Sequence, residues 1–180
     1  MIHAISSRRN LSFRRSDIMD SVTGDYLDSL EKDLREKKDR SDELDELFQL
    51  SFLGEDDVKE RVSWCVAKMG QNKVPDMRIL DILASMKDDP NSQIRENVVW
   101  GIGEVAGAGI GDERSVSIVK LLLKDGDNGV RAMAAWAAGR LRFKLGVNDD
   151  DMLALLNSLL DDRSNLVKKS AEFALSEEQD

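Results

Sequence analysis

Four stretches of this chain repeat one another in register: "VKERVSWCVAKM" from Val58, "IRENVVWGIGEV" from Ile94, "VRAMAAWAAGRL" from Val130 and "VKKSAEFALS" from Val167. Their starts lie 36, 36 and 37 residues apart, and Trp64, Trp100, Trp136 and Phe173 fall at one phase of the repeat. A fixed period of about 20–50 residues marks a solenoid, because a unit that short cannot bury its apolar face alone and must stack on the next. All three tryptophans of the chain sit in this one register.

The spacing inside each unit decides the element. Val130, Ala134, Ala137, Ala138 and Leu141 recur at threes and fours, which makes one stripe on a helix and scatters on a strand. An upstream word keeps phase too, at Leu44, Leu80, Val116 and Leu153, then at Leu47, Leu83, Val119 and Leu156. Each unit is therefore a pair of helices, A then B. Asp, Asn, Gly and Pro punctuate the A–B turns at residues 88–91, 125–129 and 161–165, and Gly-rich segments break the B–A turns. The expected division is a mobile basic segment over residues 1–24, a capping helix over 25–40 with Leu27, Leu30 and Leu34 on one face, and units near 41–72, 73–110, 111–146 and 147–180.

The turns carry a more specific pattern. Asp89, Asp125 and Asp162 each stand five residues before Ile94-Arg95, Val130-Arg131 and Val167-Lys168, and small residues follow on the B helix. This resembles the HEAT-repeat family, in particular the short HEAT-like units first named for phycobilisome lyases. The resemblance covers residues 41–177 or so, and the first unit departs from it by placing Leu53 where the Asp belongs. It implies an all-α, right-handed α-solenoid, a ladder of Asp and base joining neighbouring repeats, and B helices lining the concave side.

Charge narrows the partners. The chain carries −9 in all, with an acidic stretch over residues 25–57, and an acidic surface repels a phosphate backbone. A helical-repeat nucleic-acid binder would need a basic groove beside its aromatics. One cysteine, Cys65, and one histidine, His3, exclude an intramolecular disulfide and a soft-metal cluster, so neither cofactor nor metal is expected. No apolar run approaches the roughly 18 residues of a membrane span, and the N-terminus lacks the apolar core of a secretory signal, so the expected location is cytoplasmic. "GIGEVAGAGIG" from Gly101 has the glycines of a nucleotide loop. Its first half is in phase with helix B, and a dinucleotide loop must follow a strand.

The candidate site is the face that carries the aromatic. At about 100° per residue the Trp position lies well off the core stripe, beside the positions two, three and ten residues after each start. A row of Trp64, Trp100, Trp136 and Phe173, edged by Arg61, Asn97, Glu104 and Arg140, is the expected contact surface for a protein partner. The competing expectation packs each ring over the neighbouring B helix, where Gly101, Gly103, Ala135 and Gly139 make room. A non-enzymatic interaction module follows from the first. A chromophore-handling, lyase-like protein is the alternative that the resemblance adds. The open ends of any such stack also offer a route to self-association.

Overall fold

The computed structural model describes residues 15–53 and 55–176, with side chains from Thr23 onward. Among the described residues every regular element is helical. Helix α1 spans Arg15–Arg35 and begins upstream of residue 25; the rest of the basic N-terminal segment, residues 1–14, lies outside the described residues. After a single 3₁₀ turn at Ser41–Glu43 come four pairs: α2 (Leu44–Leu53) with α3 (Asp56–Gln71), α4 (Arg78–Ser85) with α5 (Ser92–Gly107), α6 (Glu113–Leu122) with α7 (Asn128–Leu145), and α8 (Asp150–Leu159) with α9 (Asn165–Leu175). The fold is an α-solenoid.

The turn acids start the helices. Asp127 accepts the backbone N–H of Gly129 and Val130, Asp149 that of Met152, and Asp112 closes a capping box with Ser115, so each satisfies donors that a helix start leaves unpaired. Gly146 ends α7 in the left-handed region at φ 65°, where glycine carries no Cβ penalty.

Stacking then follows from side-chain size. The B helices pack along their lengths on one another, α3 on α5, α5 on α7 and α7 on α9. Val98, Val99, Ile102, Val130, Ala134, Ala137 and Ala138 are fully buried in one continuous core that runs through every unit. Helix α1 takes the place of a preceding B helix. It buries Leu27, Leu30 and Leu34 against the first unit, and Asn72 donates to its Leu34 carbonyl at 2.8 Å. Without α1 the apolar face of α3 would meet water.

All three turn aspartates hold their turns, and two of them also join repeats. Asp89, Asp125 and Asp162 accept the N–H two residues on at 2.9, 2.9 and 2.8 Å. Arg95 also reaches forward to Asp125 with two bonds of 2.7 and 2.8 Å, and Arg131 reaches Asp162 with two of 2.9 and 3.0 Å. These are forked guanidinium–carboxylate pairs that tie one unit to the next. Lys59 lies 3.9 Å from Asp56 and not on Asp89, so the ladder begins at Arg95. Lys168 has no later turn to reach within the described chain.

Candidate functional site

Each aromatic of the repeat lands on the face of the B layer turned away from the A helices, because a shared phase on stacked, near-parallel helices becomes a row. The underside of the row is packed. A methyl group added at Gly103 would collide with the six-membered ring of Trp136, so that indole rests directly on the α5 backbone. Gly139 plays the same part beneath Phe173, whose ring would stand 3.0 Å from an added Cβ. In α3 the corresponding position is Ala67, in register with the ring of Trp100. The upper side of the row is only partly covered. Trp64, Trp100 and Trp136 are half-buried and Phe173 is 44% exposed. Packing between repeats and exposure thus coexist in one ring, which is how a large amphipathic side chain is commonly placed.

Cations cover two of the three indoles. The Arg35 guanidinium of α1 sits 4.8 Å from the Trp64 ring centre, and Arg140 sits 5.6 Å from that of Trp136 while its Nε donates to the Gly103 carbonyl at 3.2 Å. Both are within cation–π range. Trp100 has no such partner among the described residues. Its Nε1 donates to Glu104 at 3.0 Å, and Gln71 reaches the same carboxylate at 3.4 Å. Phe173 meets Phe143 edge to face at 5.6 Å.

The remaining sequence candidates divide. Arg61 is engaged with α1 through Glu31 at 2.6 Å and Asp28 at 2.5 Å, where it fastens the capping helix. Asn97 is buried and donates to Ser63 Oγ at 2.9 Å, so its amide is spent between α5 and α3. Glu104 and Arg140 stay with the row. Two clefts open along the row. One, of about 300 Å³, is walled by Glu31, Arg35, Glu60, Arg61 and Trp64. The other, of about 340 Å³, lies across α5, α7 and α9 between Trp100 and Trp136, with Glu96, Ala132, Met133 and Leu166 around it. Glu96 is half-buried there, and burial, seconded by the charge of Asp127, pushes its carboxyl above the usual range.

The phase of the tryptophans was readable from the repeat. Sequence reasoning missed Arg35, which reaches Trp64 from a helix outside the repeat, and a groove of about 530 Å³ on the A side between α2 and α4. That groove holds Phe48 and Phe52, 5.1 Å apart and edge to face, with Arg78 on its rim. Its signal was present in "LFQLSFL", where Phe52 and Leu53 are 57% and 80% exposed at the end of α2.

Among the described residues no three His, Cys, Asp or Glu side chains converge as a metal site requires. Burial pushes the Cys65 thiol up to about 12, which leaves it protonated and unreactive at neutral pH. No described helix is long and apolar enough to cross a membrane.

With this geometry in view, residues 79–176 match HEAT repeats. The chain belongs to the HEAT-repeat family. The match is to HEAT repeats as a class and does not reach the phycobilisome-lyase subtype; it starts at α4, after the unit whose turn carries Leu53. Among solved structures, the HEAT chain is similar to a designed armadillo repeat protein in complex with the peptide (KR)4, at 19% identity and a TM-score of 0.60 over 91% of this chain and 76% of that one. It is also similar to an engineered protein at 17% identity and a TM-score of 0.65, over 92% and 74% of the two chains. A comparison with curated proteins returns no significant match. At these identities the structural likeness establishes the architecture of stacked helix pairs and nothing finer.

Proposed function

We propose that this HEAT protein is a non-enzymatic interaction module that holds an extended or helical segment of a protein partner along the aromatic face of its B helices. The observation that carries this reading is the row itself: Trp64, Trp100, Trp136 and Phe173 recur once per unit and each keeps part of its ring at the surface, with Trp136 and Phe173 seated on the glycines of the preceding B helix. Rigid aromatic anchors surrounded by polar side chains are the composition of interface hot spots. A fixed step between units suits a partner whose own side chains recur along an extended backbone, and a designed armadillo protein of similar architecture is in complex with the repeating peptide (KR)4.

The row is tested by affinity capture from a cell lysate. The wild-type chain is compared with a variant carrying both Trp100→Ala and Trp136→Ala, after thermal melts have shown that the variant folds. Proteins retained by the wild type and released by the variant support the reading. An identical set on both resins places the contact surface elsewhere, with the A-side groove at Phe52 as the next face to alter.

A further inference from the structure

The three tryptophans differ in what lies over them. Trp64 carries Arg35 and Trp136 carries Arg140, both guanidinium groups of this same chain. Trp100, between them, has no cation over its ring among the described residues. Beside it lies Glu96, the one charged side chain around the cleft between Trp100 and Trp136. Among the described residues Glu96 makes no ion pair and no hydrogen bond, although every other carboxylate that edges the row is engaged: Glu60 with Asn91 at 3.0 Å, Glu31 with Arg61 at 2.6 Å, and Glu104 with Trp100 at 3.0 Å.

We propose that the cleft at Trp100 seats an arginine side chain of the partner segment, its guanidinium lying on the open indole face and paired with the Glu96 carboxylate.

This rests on the protein-binding reading above and names the chemistry of one partner residue within it. Charge complementarity selects a cation, because a half-buried carboxylate without a partner gains most from one. The raised pKa of Glu96 is a symptom of the same deficit, and a bound cation would bring it down. The choice of arginine over lysine comes from shape. A guanidinium is planar, stacks on an indole and forks toward a carboxylate, whereas an ammonium is a strongly hydrated point charge. The chain itself places a guanidinium over both neighbouring rings. Near the cleft, Arg140 is already committed to Gly103 and Trp136, and Asp127 adds a second negative charge, so neither offsets the Glu96 carboxylate. The apolar walls at Ala132, Met133 and Leu166 match the methylene stem that an arginine carries behind its head.

Random decapeptides displayed on phage and panned against the full chain provide the probe, and the tightest selected peptide is made synthetically with a fluorophore. The expected result is a peptide containing arginine whose binding, read by anisotropy, weakens about tenfold when one arginine becomes citrulline and about tenfold with Glu96→Gln. Applied together the two changes should weaken binding hardly more than either alone, since each removes the same contact. Glu96→Gln should leave the melting midpoint unchanged. Peptides that lose binding to Trp100→Ala yet tolerate both citrulline and Glu96→Gln would overturn the arginine seat and leave the aromatic row standing. Binders indifferent to Trp100→Ala and Trp136→Ala, or no enriched peptide at all, would remove both readings. If Trp100→Ala melts early, the citrulline peptide decides the seat alone, because there the protein is unaltered.

Discussion

Gly103 shows how one missing methyl group places a functional ring. A glycine inside a helix is normally a weakness, worth about 0.5–1 kcal/mol against alanine. In α5 the missing Cβ is the floor on which Trp136 rests, and an added methyl has nowhere to go but into the indole. Gly103→Ala is therefore expected to destabilise by about 1–3 kcal/mol, as overpacking does, despite the better helix former. Gly24, in α1, meets nothing within 4 Å of an added Cβ, and Gly24→Ala should instead stabilise by about 0.5–1 kcal/mol. Urea unfolding of both variants checks the opposite signs. In a Trp136→Ala background the penalty at Gly103 should vanish; a penalty that persists would mean the indole is not the obstacle.

Between elements, the forked pairs from Arg95 to Asp125 and from Arg131 to Asp162 join α5 and α7 each to the next A–B turn. Asp125 also accepts the Asp127 N–H, so its loss unties a turn and a repeat junction together. Asp125→Ala is expected to lower stability by about 2 kcal/mol. Asp127, which the sequence presents as an ordinary turn residue, turns out to cap α7, and Asp127→Ala should lower stability by about 1 kcal/mol. The Arg95 guanidinium holds the Asp125 carboxyl below the usual range, and Arg131 does the same for Asp162. A depressed folded-state pKa stabilises fully above the unfolded value near 4 and is lost as pH falls through the lower folded value. The gap between wild type and Asp125→Ala should accordingly be widest at neutral pH and narrow below about pH 4. Unfolding midpoints at pH 7 and pH 3 measure it; a gap that does not change would mean the ion pair is idle.

For the whole molecule, stability comes from a core that no unit completes. Helix α1 closes one end over α3, and α9 covers the alanine-rich face of α7 at the other. Deleting residues 147–180 removes α8 and α9 and bares Ala135, Ala138 and Gly139 to water. The melting midpoint should fall by on the order of 10 °C or more, and the transition should broaden as the last remaining pair frays. Circular dichroism melts of the two chains make the comparison. Equal midpoints would show that the units fold independently of one another.

The array was legible in the sequence because its causes are local and repeated. Helical spacing, turn chemistry and a 36-residue phase each recur, so one unit checks the next. The phase of Trp64, Trp100, Trp136 and Phe173 was legible for the same reason. What covers each ring was not, since that depends on contacts between distant residues whose geometry no spacing encodes: Arg35 crosses from α1, Arg140 bends back over its own helix, and Gly103 recesses to admit Trp136. The fates of Arg61 and Asn97 also belong to the tertiary structure, because a side chain facing the row can still be drawn under by a neighbouring helix. Repetition determined the architecture and the row; only the packing of one helix against the next decided that Trp100 and Glu96 are left with an open face and an unpaired charge.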